Sequence, residues 1–118
     1  IAVLGLSFKP NTDDMREAPS VTIIRSLVQL GAKIKVYDPV AMENAKKILP
    51  DLTFCLNPQE TAIESDALVV LTEWNEFKQL DLKSMKKVMK GSYLFDGRNI
   101  YDPVKVKKAG FIYKGVGR

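Results

Sequence analysis

Three cations and two aromatic rings in this chain of 118 residues stand where its pattern of apolar runs places loops. Phe8, Lys9 and Arg16 fall in the polar stretch 7–17, Trp74 follows an apolar run ending at Thr72, and Arg98 and Asn99 follow a run ending at Asp96. An ammonium and two guanidinium forks bind phosphate or carboxylate oxygens, and exposed rings offer a flat face. Together they suit an anionic ligand with an aromatic part, such as a nucleotide. Thr12, Asp13, Asp14 and Glu73 add polar contacts on the same stretches, and Asp13-Asp14 as a metal site is the weakest of these readings. With no His and one Cys, a Ser-His triad, a His general base and a His-ligated or cysteine zinc site are excluded.

Each candidate also has a plainer reading. Lys9 is by default a solvated surface lysine. Arg16 can simply pair with Asp13 or Asp14, and Arg98 with Asp96 or as the cap of a turn. Trp74 reads more readily as packing than as a stacking face. Cys55, on a weak strand among apolar residues, reads as an inert buried thiol.

The elements that must position these residues alternate. Residues 1–6, 33–37, 53–55, 66–72, 92–96 and 111–113 read as strands. The run 66–72 is apolar on both faces, as a central parallel strand requires. Between them, a helix from Pro19 carries Val21, Ile24, Leu27 and Val28 on one face and stops at Gly31. Residues 41–49 form a second helix closed by Pro50, and Asn57-Pro58 with Glu60 opens a third. Asp81 caps a helix through Met89, with Leu82, Met85 and Met89 inward and lysines outward. Asp102-Pro103 starts a last helix that Gly110 stops. This alternation predicts an α/β fold, a Rossmann-like three-layer doubly wound parallel sheet of order 3-2-1-4-5-6, in a single domain.

Such a sheet binds ligands beyond the carboxyl ends of its strands, where the strand order reverses. Loops 7–17, 72–76 and 97–101 reach that crevice. The first exceeds the ~2–6 residues usual for a βα turn, which marks it as a functional loop. The dinucleotide fingerprint G-x-G-x-x-G is not met: after Gly5 its other positions hold Ser7 and Pro10, so the usual pyrophosphate cradle is not expected.

Composition bounds the rest. Hydrophobic residues make up 46% and charged residues 27%, ordinary for a globular chain and too apolar for disorder. A chain of this length buries roughly 65% of its unfolded surface. The single cysteine fits a reducing compartment. No apolar run approaches the ~20 residues of a membrane span. The chain opens at Ile1 inside an apolar run with no charged leader, which reads as a piece cut at a domain boundary rather than a signal peptide. Residues 1–80 carry 8 basic and 11 acidic groups, and residues 81–118 carry 10 and 3. That basic third fits nucleic acid, a smaller anion or a solvated helix face. Nucleic acid is the least favoured, because the lysines have no interleaved aromatics.

Four segments then carry a resemblance: Gly5-Leu6-Ser7-Phe8-Lys9-Pro10-Asn11-Thr12-Asp13-Asp14-Met15-Arg16, Tyr37-Asp38-Pro39, Thr72-Glu73-Trp74 with Phe77, and Phe95-Asp96-Gly97-Arg98-Asn99. Standing in this order over essentially the whole chain, they resemble the C-terminal domain of the UDP-glucose/GDP-mannose dehydrogenase family. Thr72-Glu73-Trp74 looks more like the UDP-glucose 6-dehydrogenases than relatives acting on GDP-mannose or UDP-N-acetylmannosamine. A stand-alone nucleotide-binding module is the other alternative.

The resemblance implies a cytoplasmic, oligomeric parent enzyme with an N-terminal NAD-binding domain, a central helical dimerisation region and this domain, residues 1–118, holding the UDP part of the substrate. It implies oxidation of UDP-glucose to UDP-glucuronate with two NAD. The catalytic cysteine and its assisting lysine and asparagine would lie upstream, Cys55 would not match that cysteine, and the fragment would bind without catalysing. Phe8 and Lys9 match the pair that touches the UDP-sugar, and Arg16 the arginine that reaches NAD. Arg98 matches the Asp-Gly-Arg segment at the substrate, with Asn99 as the alternative contact. Pro10 departs from the charged residue of some relatives.

Overall fold

The computed structural model describes residues 1–16 and 18–117. Six strands, β1 (Ala2–Leu4), β2 (Lys35–Tyr37), β3 (Thr53–Phe54), β4 (Ala67–Val70), β5 (Tyr93–Asp96) and β6 (Ile112–Gly115), form one sheet of order β3-β2-β1-β4-β5-β6. Every pairing is parallel, so every connection crosses over a face of the sheet. The fold is the doubly wound α/β sheet that the alternation predicts.

Side chains alternate across the strands and build a core on each face. Val3, Leu6 and Val36 pack with Ile24 of α1 (Pro19–Gln29) and Ala45 of α2 (Met42–Ile48). Ala2, Leu4, Leu68, Val70 and Leu94 face the other way. They meet Ala62 of α3 (Pro58–Ala62), Phe77 of α4 (Asn75–Lys78), Met85 of α5 (Leu82–Val88) and Val106 of α6 (Pro103–Lys108). Phe77, Leu68 and Leu94 are fully buried, and truncating any of them to alanine would cost about 2–5 kcal/mol.

The helix signals act as read. Pro19 occupies the first turn of α1, and Gly31, at φ 95°, ends it. The side chains of Asn57, Asp81 and Asp102 accept from the amides of Glu60, Ser84 and Val104. Two readings are corrected. The expected strand 1–6 pairs only over Ala2–Leu4, because Gly5 at φ 96° turns the chain out of the sheet. Helix α4 was not expected: it is a single turn, too short to show a 3.6-residue period.

Coverage of the sheet is unequal. Helices α1 and α2 sit on the Val3 face over its β1–β3 half, while α3 to α6 lie on the other face. Tyr93 and Phe95 of β5 and Ile112 of β6 point to the Val3 face and stay 49%, 41% and 56% exposed. No helix among the described residues is long and apolar enough to cross a membrane.

Candidate functional site

The strand order reverses between β1 and β4, and the loops leaving these strands are bound together there by one carboxylate. Asp38 follows the last residue of β2 and is fully buried. Its Oδ2 accepts the Leu6 amide at 2.8 Å, the Ser7 amide at 3.3 Å and the Trp74 indole Nε1–H at 3.4 Å. Its Oδ1 accepts the amides of Val40 at 2.9 Å and Ala41 at 2.8 Å. One side chain thus ties the loops after β1, β2 and β4, through hydrogen bonds accepted from N–H groups of the described residues.

Hydroxyls extend this frame toward Lys9. Thr72 donates to the Ser7 carbonyl at 2.7 Å, and the Ser7 hydroxyl donates to the Lys9 carbonyl at 2.8 Å. The Ser20 hydroxyl donates to the carbonyl of Leu6. Gly5 permits the close approach: a Cβ there would stand 2.6 Å from the Thr72 backbone nitrogen.

From this frame the loop projects its side chains. The Phe8 amide donates to the Asp14 carbonyl at 3.1 Å, and the Asp14 amide donates to the Thr12 hydroxyl at 3.1 Å. Phe8 is 39% exposed, and the Lys9 ammonium lies 5.8 Å from its ring centroid. Phe8, Lys9, Pro10, Thr12, Asp14 and Arg16 line a concavity of about 660 Å³. Arg16 grips Asp14 with Nε at 3.0 Å and Nη2 at 2.9 Å, the pairing that its spacing allows. This fork holds the Asp14 carboxyl down to about 2. The pair is solvated, with the Arg16 side chain 89% exposed, so it orients the arginine without adding much stability.

Arg98 does not line that concavity. Its Nη2 meets Glu73 at 2.8 Å, joining the loops after β4 and β5. The arginine holds the Glu73 carboxyl below its usual range. Asp96, the expected partner of Arg98, instead takes the amides of Ile100 at 3.1 Å and Tyr101 at 3.0 Å and the Tyr113 hydroxyl at 2.9 Å. Asn99 is engaged in both directions by the backbone of Val116, each bond 2.9 Å. Trp74 packs against the core below and spends its N–H on Asp38, the packing role. Cys55 is a buried free thiol.

The groups that a dinucleotide would use in the turn after β1 are already engaged within the protein. Asp38 stands where dinucleotide-binding sheets carry the acid for a ribose hydroxyl, but its oxygens are taken by five N–H groups. The amides of Leu6 and Ser7 that would face a pyrophosphate point at that carboxylate instead.

Residues 2–103 match the UDP-glucose/GDP-mannose dehydrogenase family, UDP binding domain. The chain belongs to that family. As a member of the UDP-glucose/GDP-mannose dehydrogenases, it is similar over its whole length to the UDP-glucose 6-dehydrogenase of Rhizobium meliloti (strain 1021), at 51% identity, and covers 27% of that protein. It is 47% identical to UDP-glucose 6-dehydrogenase YwqF of Bacillus subtilis (strain 168), again over all of this chain and 27% of the relative. Among solved structures, 97% of the chain superposes on 24% of a UDP-glucose dehydrogenase from the hyperthermophilic archaeon Pyrobaculum islandicum, with TM-score 0.79 at 37% identity. The chain therefore spans about a quarter of the length of the relatives it matches.

Sequence reasoning about the residues themselves did not single out Asp38, and it placed Glu73 on its loop without pairing it with Arg98. For Asp38 a signal existed: an acid between an apolar-alternating strand and a proline, ready to accept amides two and three residues on. The Glu73–Arg98 pairing had none, since the two residues stand 25 positions apart.

Proposed function

We propose that residues 1–118 are the UDP-binding domain of a UDP-glucose 6-dehydrogenase, an enzyme that oxidises UDP-glucose to UDP-glucuronate with two NAD. The observation that carries the reading is the exposed Phe8-Lys9 pair, held on a rigid frame at the strand-order reversal, in a chain 51% identical to a named UDP-glucose 6-dehydrogenase. In this reading Phe8 supplies an apolar face, Lys9 a point charge for phosphate oxygens, and Arg98 a planar fork from the neighbouring loop. The engagement of Asn99 with Val116 favours Arg98 over Asn99 as the contact. Arg16 reaches outward, toward NAD held by another part of the parent chain, because this domain's own turn spends its Leu6 and Ser7 amides on Asp38 rather than on a pyrophosphate.

The fragment binds and does not catalyse. Cys55, a buried free thiol directly after β3, is in this reading not the nucleophile of the reaction. The catalytic cysteine, the rest of the NAD site and the oligomer contacts belong to the remainder of the parent, a cytoplasmic enzyme in this reading.

The test is an amide-resolved NMR titration of the chain with UDP, UDP-glucose and GDP-mannose at fixed moderate salt. UDP ligands are expected to shift Phe8, Lys9 and Arg98 together, and GDP-mannose to shift them less. Equal response to GDP-mannose, or no shift up to millimolar ligand, overturns the assignment. In the parent enzyme, Lys9→Ala should raise KM for UDP-glucose, and Arg16→Ala should weaken NAD more than substrate.

A further inference from the structure

The loop after β5 is anchored at both ends. At the near end the Gly97 amide donates to the Val70 carbonyl at 2.8 Å, so closely that a Cβ on Gly97 would stand 2.9 Å from that oxygen. At the far end Asp96 takes the amides of Ile100 at 3.1 Å and Tyr101 at 3.0 Å. Between these anchors lies the tip, Arg98 and Asn99. Its own bond back to the strand, from the Asn99 amide to the Asp96 carbonyl, is a long one at 3.4 Å.

The Asn99 side chain supplies the missing hold. Its φ of 52° lies in the left-handed region, which asparagine adopts more readily than most residues. With the backbone so turned, the carboxamide meets the main chain just beyond β6. Nδ2 donates to the Val116 carbonyl at 2.9 Å, and Oδ1 accepts the Val116 amide at 2.9 Å. The last register pair of β5 and β6 is Asp96 with Gly115. The carboxamide therefore takes Val116 as a further strand residue would, and adds a rung to the ladder with a side chain. The Val116 side chain is exposed and has no part in this pairing.

We infer that Asn99 is the positioning residue for Arg98: by clamping the loop tip to the main chain of Val116, it fixes where the guanidinium fork stands in the crevice. The inference rests on the part given to Arg98 in holding the substrate. The two neighbours divide the work. Asn99 spends its carboxamide within the protein, whereas the Arg98 side chain is 30% exposed and engages Glu73 through Nη2. A planar fork making paired bonds to an anion tolerates little displacement of its base, so the residue that fixes that base governs how well the fork works. Released from Val116, the tip would shift while Gly97, Ile100 and Tyr101 kept their bonds.

The test is a double-mutant cycle in the full-length enzyme: Arg98→Ala, Asn99→Gly and the two together, with KM for UDP-glucose and kcat measured for each. Glycine adopts the left-handed φ freely and removes both bonds to Val116. Arg98→Ala should raise KM by roughly 10- to 100-fold, the loss of a hydrogen bond to a charged group. Asn99→Gly should raise KM by about 3- to 10-fold, with a smaller fall in kcat, and should add nothing once Arg98 is gone. An unchanged KM in Asn99→Gly beside a raised KM in Arg98→Ala overturns the proposal and leaves the proposed function standing. Additive effects overturn it too, because Asn99 would then act on the substrate or the fold without Arg98. An unchanged KM in Arg98→Ala overturns the part given to Arg98 in the proposed function, and the role of Asn99 with it. If Asn99→Gly does not fold, Val116→Pro removes the amide that Oδ1 accepts and leaves Asn99 in place. It should raise KM in the same Arg98-dependent way, and no rise overturns the proposal.

Discussion

Replacing Asp38 by alanine should unsettle the frame more than any exposed substitution on the loops it holds. The amides of Leu6, Ser7 and Ala41 are buried and bond to this carboxylate. Each would be left without an acceptor, at about 1–3 kcal/mol apiece. Val40 and Trp74 are partly exposed at their bonds and can turn to water. If one water enters the vacated space and serves one or two amides, the net loss is about 3–5 kcal/mol. A chain of this length has roughly 6–18 kcal/mol of stability in all. The loss should therefore lower the thermal midpoint by about 10–20 °C. The assay is urea unfolding of both proteins, with the difference read from the midpoint at an unchanged m-value. Asp38→Asn keeps one oxygen and should fall between the two. Exchange of the Leu6 and Ser7 amides should accelerate in both variants. A loss below about 1 kcal/mol for Asp38→Ala, with those amides still protected, would refute the account of Asp38 as the tie between three loops.

Gly91→Ala should destabilise the chain by about 3 kcal/mol or more, read by denaturation, because a Cβ there would stand 2.1 Å from the backbone carbonyl oxygen of Asp66. Glu73→Gln should cost less than about 1 kcal/mol, since the Arg98 and Glu73 side chains are 30% and 40% exposed. By removing a carboxylate that competes with phosphate for Arg98, it should also tighten UDP binding by calorimetry; weaker binding would contradict the role given to Arg98. Asp14 should titrate at about 2 in a carboxyl NMR titration and return toward 3.8 in Arg16→Gln. Its pKa is depressed by folding, so its contribution is fully present above about pH 4 and is lost as pH falls through about 2.

The sheet was legible because its signals are local. Pro19 and Gly31 bracket α1, Asn57-Pro58 opens α3, and the doubly apolar run of β4 belongs to the middle of a covered sheet. With right-handed crossovers, those elements leave few strand orders, and the observed one was among them. The loops that carry Phe8, Lys9 and Arg98 were legible for the same reason, since strand ends at an order reversal are where side chains converge. The partners of those residues were not. Asp38 reaches Leu6 and Ser7 across 32 and 31 residues and Trp74 across 36, and Arg98 reaches Glu73 across 25. Only the register of β1, β2, β4 and β5 brings them together. Asp96 was a plausible partner for Arg98 by proximity in sequence, but its burial turns it inward to the amides of its own turn.

The grip of Asp38 has a consequence for how this framework can diverge. Four of its five bonds go to main-chain amides, which every residue but proline possesses. The tether is therefore blind to the identity of the side chains at positions 6, 7, 40 and 41. Mutation can repaint the rim of the crevice, at Phe8, Lys9 or Pro10, while the scaffold beneath stays where it is. The surface that the loop offers to a ligand can change by exchange of residues without rebuilding the loop.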